Sequence, residues 1–191
     1  MAIESKNPTN KECIKYITDK SNQLGIPARL SLATAWIESG FTQFDYLGNT
    51  LRNPTSNDFG IMQITIGAKM CMSDWGYISN KDWDRLLIDW KFNIDIGLSE
   101  LKSCYELSCN STEEIQIGCK HFNGITTEDC IARATYSAYN AGPNNISRYR
   151  TPFIVLTSKT EKPYIYENRY DYRDINFWTI YSCKSWEKIV I

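Results

Sequence analysis

Apolar residues recur three or four positions apart over much of the chain, which is the spacing of amphipathic helices. This pattern predicts a first helix over residues 10–24, capped by Asn10 and ended by Gly25. A second helix is predicted over residues 28–39 and ended by Gly40. It is apolar on almost every side, as buried helices are, and Glu38 is its single acid.

Three further helices are predicted, over residues 89–105, 111–122 and 127–141; Ser111 and Glu114 form a capping box for the middle one. The β signal is weak. Residues 41–58 are loop-like, residues 69–83 are expected to hold a small hairpin or an irregular loop, and residues 153–156 are expected to be extended. The predicted fold class is therefore mainly α, with a small β or irregular segment.

The end of the chain differs from the rest in composition and in periodicity. Residues 151–191 are rich in aromatic side chains and have few helical stripes. We expect residues 1–150 to form one domain and residues 151–191 to form an aromatic-rich C-terminal extension packed on it. The extension either covers the helical core or forms one wall of a groove.

Composition and charge narrow the classes of function. Of the 191 residues, 42% are hydrophobic and 23% are charged, which is typical of globular rather than disordered proteins. The net charge of −1 gives no electrostatic basis for binding nucleic acid or an anionic membrane surface. No segment is long and apolar enough to span a membrane. Aromatic residues reach 13%, and aromatic rings pack well on the apolar faces of sugars.

Seven cysteines and a single histidine, His121, bear on metals and on the redox environment. No two cysteines have C-x-x-C spacing, so neither a metal nor another cofactor is expected. Disulfides in an exported, periplasmic protein are the favoured interpretation, and buried free thiols are the alternative. Residues 1–10 are polar and hold no signal-peptide core, so an exported localisation presumes a signal peptide outside this sequence.

Three short motifs occur in an informative order. They are Glu38-Ser39-Gly40, Gly60-Ile61-Met62-Gln63-Ile64 and Ala138-Tyr139-Asn140-Ala141-Gly142. The order of E-S, G-[LI]-M-Q and A-Y-N closely resembles that of the soluble lytic transglycosylase family, within the lysozyme superfamily, from about residue 13 to residue 149. The resemblance implies a lysozyme-like helical domain that cuts the glycan strands of bacterial peptidoglycan.

Glu38 is the predicted catalytic residue. A carboxylate on an apolar helix is costly unless it is paired or protonated, and desolvation raises its pKa. A protonated carboxyl can donate its proton to a glycosidic oxygen. By the resemblance, the same carboxylate then takes a proton from the C6 hydroxyl of N-acetylmuramic acid, which closes a 1,6-anhydro ring. The alternative is a solvated Glu38, or one paired with Arg29 or another base.

The first two motifs also supply residues with supporting roles, by the resemblance. Ser39 would bond Glu38 or the muramic sugar, and Gly60 would let the backbone approach the sugar or the catalytic helix. Met62 would lie along the sugar floor, and Gln63 would bond a substrate amide or an active-site backbone group. The three side chains also have structural alternatives. Ser39 would be a polar residue at a helix end, Met62 would fill the core, and Gln63 would make buried structural hydrogen bonds.

By the same resemblance, the hydroxyl of Tyr139 in the third motif would lie near Glu38, and Asn140 would bind an N-acetyl group or fix its own loop. A further family tyrosine is assigned to Tyr166, because residues 161–166 loosely match the family's segment. The expected partner is the glycan strand of peptidoglycan. A wall-spanning secretion or conjugation machine is a second candidate partner, by analogy with compact members of the family alone.

The chain departs from the family between Glu38 and Gly60, where extra residues imply an inserted loop. Goose-type lysozymes, which share the three elements but use water, are the nearest rival. They commonly carry Asp two residues after the motif Gln, where this chain has Thr65, although Asp45 or Asp58 can position a water. The second rival is an inactive wall-binding or secretion-assembly protein built on the same fold.

Overall fold

The computed structural model describes residues 6–65, 80–111 and 127–146, and residues 177, 180 and 181. These residues are mainly helical, as predicted, with one small antiparallel sheet. The chain forms two compact units: Met1–Lys102 with Cys183–Ile191, and Ser103–Ser182. The predicted domain boundary at residue 150 stays a prediction.

Helix α1 spans Asn10–Leu24, the predicted range. Its cap is Thr9, not the predicted Asn10. The Thr9 hydroxyl accepts a hydrogen bond from the Glu12 N–H at 3.3 Å, and the Glu12 carboxylate accepts one from the Thr9 N–H at 2.8 Å. This reciprocal pair satisfies two N–H groups at the helix start, whereas a cap at Asn10 would place no Glu or Gln three residues later. Gly25 ends the helix, as predicted, with a φ of 72°.

Helix α2 spans Ala28–Ser39, and Gly40 ends it with a φ of 62°. Its residues 30–35 are all buried, so the prediction of a core helix is confirmed. Thr34 is a polar residue within this buried stretch, and it is accommodated because its hydroxyl donates a hydrogen bond to the Leu30 carbonyl oxygen at 3.0 Å. From residue 36 onward the helix is half-buried, and its last turn therefore lies at the edge of the core.

The small sheet lies earlier in the chain than predicted. Strands β1 (Arg52–Asn53), β2 (Asp58–Phe59) and β3 (Ile64–Thr65) pair antiparallel in that order. Strands of two residues are too short to show an alternating pattern in sequence. The hairpin or loop predicted over residues 69–83 is wrong at its end, because helix α3 (Asn80–Ile88) begins there. Residues 69–79 lie outside the described residues.

Helix α4 spans Trp90–Asn110 and is longer than its predicted range. The Asp89 carboxylate caps it by accepting from two backbone N–H groups of the first turn, at 3.0 and 3.2 Å. The three residues of the predicted apolar stripe are fully buried: Ile94, Leu98 and Leu101. The boundary between the two units falls within this helix, after Lys102.

The second unit contains helix α5, Thr127–Ala141, which has the predicted range. A 3₁₀ turn, Pro143–Asn145, follows Gly142. Phe177 is buried and stacks on Tyr136 of α5 with a centroid distance of 4.5 Å. The helix predicted over residues 111–122 and the strand predicted over residues 153–156 lie outside the described residues, apart from Ser111.

Three cysteines are not disulfide-bonded: Cys13, Cys104 and Cys109. For these three the alternative of thiols outside disulfides holds. Cys130 is disulfide-bonded, and disulfides stay a prediction for the other three. Burial raises the pKa of the Cys13 thiol to about 12, which makes it unreactive at neutral pH. Within the part of the chain that the structure describes, no helix combines the length and apolar character that a membrane span requires.

Candidate active site

Glu38 lies in the last turn of α2, where the helix leaves the core. The residue is half-buried, and its Oε1 atom is shielded from solvent. The aromatic ring of Trp36, in the same turn, meets the ring of Phe41 edge-on at a centroid distance of 5.2 Å. A carboxyl oxygen removed from water fits the predicted role of Glu38 as a general acid.

Ser39 ties the end of α2 to the second motif. Its hydroxyl donates to the Ile61 carbonyl oxygen at 2.8 Å and accepts from the Thr42 N–H at 3.1 Å. A hydroxyl has only one proton, and of its two possible acceptors the Ile61 carbonyl oxygen is much closer than that of Ala35, which lies at 3.4 Å. The structure therefore brings the first two motifs together through Ser39. The predicted contact of Ser39 with Glu38 or with a sugar stays a prediction.

Residues 60–63, which we call the buried loop, form a tight turn between β2 and β3. Gly60 and Gln63 both have positive φ, at 73° and 48°. The Gln63 side chain closes the turn by donating from Nε2 to the Gly60 carbonyl oxygen at 2.8 Å. Gln63 thus shapes the backbone of its own motif, and its predicted bond to a substrate amide is not tested by this contact.

Met62 fills the core in this structure. Its side chain is 0% exposed and packs directly on Gly97 of α4. A Cβ atom on Gly97 would lie only 2.5 Å from Met62 Cγ, so the two residues are matched in shape. These contacts are those of the core-filling alternative, and they leave no Met62 surface for a sugar in this conformation.

Asn93 of α4 holds the buried loop from one side, and the sequence did not predict it. Its Oδ1 atom accepts from the Met62 N–H at 2.9 Å, and its Nδ2 atom donates to the Phe59 carbonyl oxygen at 3.0 Å. The side chain is 0% exposed. A buried amide that satisfies two peptide groups fixes their positions, since losing either bond would leave a buried polar group unpaired.

Gln43 holds the same loop from the other side. Its Oε1 atom accepts from the Ile61 N–H at 3.1 Å. Its Nε2 atom donates to the carbonyl oxygens of Leu86 and Leu87, at the end of α3, at 3.2 and 3.1 Å. Gln43 is also 0% exposed, and it therefore links α3 to the buried loop. The available signal was an amide placed between Phe41 and Phe44, which are both buried.

Gly60 is required by these two amides. A Cβ atom at this position would lie 2.6 Å from Gln43 Oε1 and 2.8 Å from Asn93 Cγ. The sequence predicts close approach of the Gly60 backbone to the sugar or to the catalytic helix. The close approach that the structure shows is to Gln43 and Asn93, and the approach to the sugar or to the catalytic helix stays a prediction.

Asp58 of β2 lies beside the position at which goose-type lysozymes carry an acid. Its carboxylate accepts hydrogen bonds from the hydroxyls of Ser56 and, at 2.5 Å, of Thr65. Thr65 is its cross-strand partner in β3. A carboxylate is thus present next to residue 65, although residue 65 itself is not acidic.

Glu100 is a further acidic residue of the first unit. The sequence did not predict a role for it. It follows Asn93 and Gly97 at helical spacing, so it continues the face of α4 that packs on the buried loop. Burial, and then the negative charge of Asp58, raise the pKa of Glu100 to about 7. A large part of Glu100 is therefore protonated at neutral pH.

The third motif belongs to the second unit. Tyr139 and Asn140 are half-buried in the last turn of α5. The turn after them is fixed because the Asn145 Nδ2 atom donates to the Ala141 carbonyl oxygen at 2.5 Å, and Gly142 adopts a φ of 88°. The approach of Tyr139 to Glu38 stays a prediction, and Tyr166 lies outside the described residues.

Comparison with known proteins agrees with the motif order. Residues 15–152 match the sequence profile of the family described as Transglycosylase SLT domain. No curated protein and no solved structure shows a significant match to the chain. The matched span contains all three motifs and both of the amides that hold the buried loop.

Proposed function

Because the chain belongs to the transglycosylase SLT domain family, we propose that it cleaves the β-1,4 bond between N-acetylmuramic acid and N-acetylglucosamine and leaves a 1,6-anhydro product. Membership of the family supports an enzyme of lytic-transglycosylase type that acts on peptidoglycan. The observation that carries the finer proposal is the shielded Oε1 atom of Glu38, at a helix end that Ser39 ties to the buried loop.

In the first step, Glu38 donates its proton to the glycosidic oxygen as the bond from that oxygen to the anomeric carbon breaks. An oxocarbenium-like sugar forms, and Glu38 becomes a carboxylate. In the second step, this carboxylate takes the proton of the C6 hydroxyl of the same sugar, and O6 bonds to the anomeric carbon. No water is consumed, and the tethered nucleophile has a high effective concentration.

Glu38→Gln tests the catalytic assignment, because glutamine keeps the shape of the side chain and cannot give up a proton. We expect clearance of purified peptidoglycan to fall by about a thousandfold or more, with an unchanged unfolding temperature. The exposed Glu128→Gln is the matched control and should retain full activity. Turnover retained by Glu38→Gln would show that Glu38 is not the catalytic acid.

Hydrolysis by the same site is the second candidate function, and the position of Asp58 beside Thr65 favours keeping it. In that reaction Asp58 takes a proton from water, the water oxygen bonds to the anomeric carbon, and a reducing end results. Mass spectrometry of the digest separates the two reactions. Anhydro-muropeptides support the transglycosylase, whereas reducing ends that disappear in Asp58→Asn support hydrolysis.

An enzyme that acts on peptidoglycan works in the periplasm or outside the cell, and this coarse localisation follows from the family. The candidate partnership with a secretion or conjugation machine gains no support from the comparisons. An inactive wall-binding protein, the remaining rival, predicts that wild type and Glu38→Gln bind peptidoglycan alike and that neither releases soluble fragments.

A further inference from the structure

A second loop, residues 44–50, which we call the projecting loop, lies between α2 and β1. At its tip, Tyr46 is 94% exposed and Leu47 is 67% exposed. These are the two most exposed large hydrophobic side chains among the residues that the structure describes. Neither contributes to the core, so the fold gives no reason for an aromatic ring and a leucine at this point.

The tip of the projecting loop, residues 45–49, is shaped by its own hydrogen bonds. The Asp45 carboxylate accepts from the N–H groups of Leu47 and Asn49 through Oδ1, at 2.8 and 2.9 Å. The Asp45 N–H donates to the Asn49 carbonyl oxygen at 2.8 Å, and the Gly48 N–H donates to the Asp45 carbonyl oxygen at 3.1 Å. The tip is therefore organised before any ligand binds, which lowers the entropic cost of binding.

The base of this loop is shared with the buried loop. The Leu51 N–H donates to the Gln43 carbonyl oxygen at 2.7 Å, and the Leu51 carbonyl oxygen accepts from the Gly60 N–H at 2.9 Å. The Gln43 side chain in turn accepts from the Ile61 N–H at 3.1 Å. Through this junction, the position of Tyr46 is fixed relative to the buried loop and to the Ser39 end of α2.

We propose that Tyr46 is a glycan-binding residue, whose ring stacks on the apolar face of a sugar at a distance from the cleaved bond, with Leu47 packed beside it. This inference deepens the proposed function and rests on it. Two side chains at a protruding tip are far smaller than a stable protein interface. They match one sugar ring, and the polar Asp45 and Asn49 flank the tip where sugar hydroxyls would lie.

The test is binding of the inactive Glu38→Gln protein to purified peptidoglycan, measured by sedimentation, with and without Tyr46→Ala. We expect Tyr46→Ala to weaken binding by about tenfold, as the loss of one stacked ring would. Tyr46→Trp should bind as tightly as the parent, since it keeps a flat ring. In the active protein, Tyr46→Ala should raise KM by a similar factor and change kcat by less than about twofold.

Ile88→Ala is the matched control, because Ile88 is also exposed, at 45%, and lies outside the projecting loop. Equal weakening by Ile88→Ala would mean non-specific adhesion and would overturn the proposal, as would parental binding by Tyr46→Ala. The two proposals fail separately. Lysis that survives Glu38→Gln removes the catalytic assignment, whereas unchanged binding by Tyr46→Ala removes only the role of Tyr46.

Discussion

The buried loop and the projecting loop leave the same junction but are held in opposite ways. The peptide groups of the buried loop bond to side chains from elsewhere in the chain, Gln43 and Asn93. The tip of the projecting loop, residues 45–49, bonds to itself through Asp45. Only its ends bond elsewhere, Phe44 to the side chain of Asn7 and Thr50 to the Leu87 carbonyl oxygen. Long-range amides anchor a loop that must stay in register with the catalytic helix, whereas a local carboxylate is enough to shape the tip of a loop that reaches into solvent.

Gly60→Ala should have the largest effect, because it pushes a methyl group into both amides of the buried loop. We expect a loss of roughly 3 kcal/mol in the free energy of unfolding, from the positive φ and the steric overlap together. Activity should fall further than stability explains, since Ser39 ties this loop to the Glu38 helix. Chemical denaturation and peptidoglycan clearance measure the two effects.

Gly25→Ala is the control for that change. Its φ of 72° almost equals the 73° of Gly60, but no atom lies within 4 Å of a Cβ atom built there. We expect it to cost only about 1 kcal/mol and to leave activity intact. If the two variants lose equal stability, the contact of Gly60 with Gln43 and Asn93 is not what requires glycine.

The contrast between Gly60 and its amide partners shows what the sequence could and could not predict. Gly60, Met62 and Gln63 form a contiguous motif that is visible in the sequence. Gln43 and Asn93 are 18 and 31 residues from the peptide groups that they bond, and no local pattern connects positions so far apart. Their place beside buried apolar residues, Phe44 and Ile94, was the only local sign of a buried hydrogen-bonding role.

The elements of the fold likewise divide into those that the sequence predicted and those that it did not. Helices α1, α2 and α5 have their predicted ranges because glycines end them and their apolar residues repeat over several turns. The sheet was misplaced because each of its strands has two residues, and its pairing depends on the turn that Gly60 and Gln63 make through positive φ. Such strands are set by tertiary contacts rather than by local preference.

Glu100→Gln should have an intermediate effect on the free energy of unfolding. The effect should depend on pH and should be confined to the surroundings of the buried loop. The raised pKa means that folded Glu100 keeps a proton between pH 4.5 and about 7 that the unfolded chain releases. Stability from this group is therefore present at low pH, falls as pH rises through that window, and stays low above it. Glutamine removes this loss, so the variant should be more stable than wild type at pH 8, by about 2 kcal/mol.

Thermal unfolding at pH 5 and pH 8 measures the change, with Glu128→Gln as an exposed control. Amide hydrogen exchange shows which part of the fold carries this change in stability. In wild type at pH 8, the N–H groups of Ile61 and Met62 should exchange faster than at pH 5 after correction for intrinsic rates, and those of Leu47 and Asn49 should not. Equal pH dependence in wild type and Glu100→Gln would show that Glu100 does not carry this proton.

Asp45→Ala should have the smallest effect on stability and acts only on the projecting loop. It removes the acceptor for the N–H groups of Leu47 and Asn49, which are exposed and can bond to water instead, so we expect a loss of less than about 1 kcal/mol. Because the tip would then have to be ordered on binding, affinity for peptidoglycan should fall by a few fold, less than in Tyr46→Ala. Asp45→Asn keeps an acceptor oxygen and should retain most of the affinity. Parental affinity in Asp45→Ala would mean that the backbone bonds of the loop alone position Tyr46.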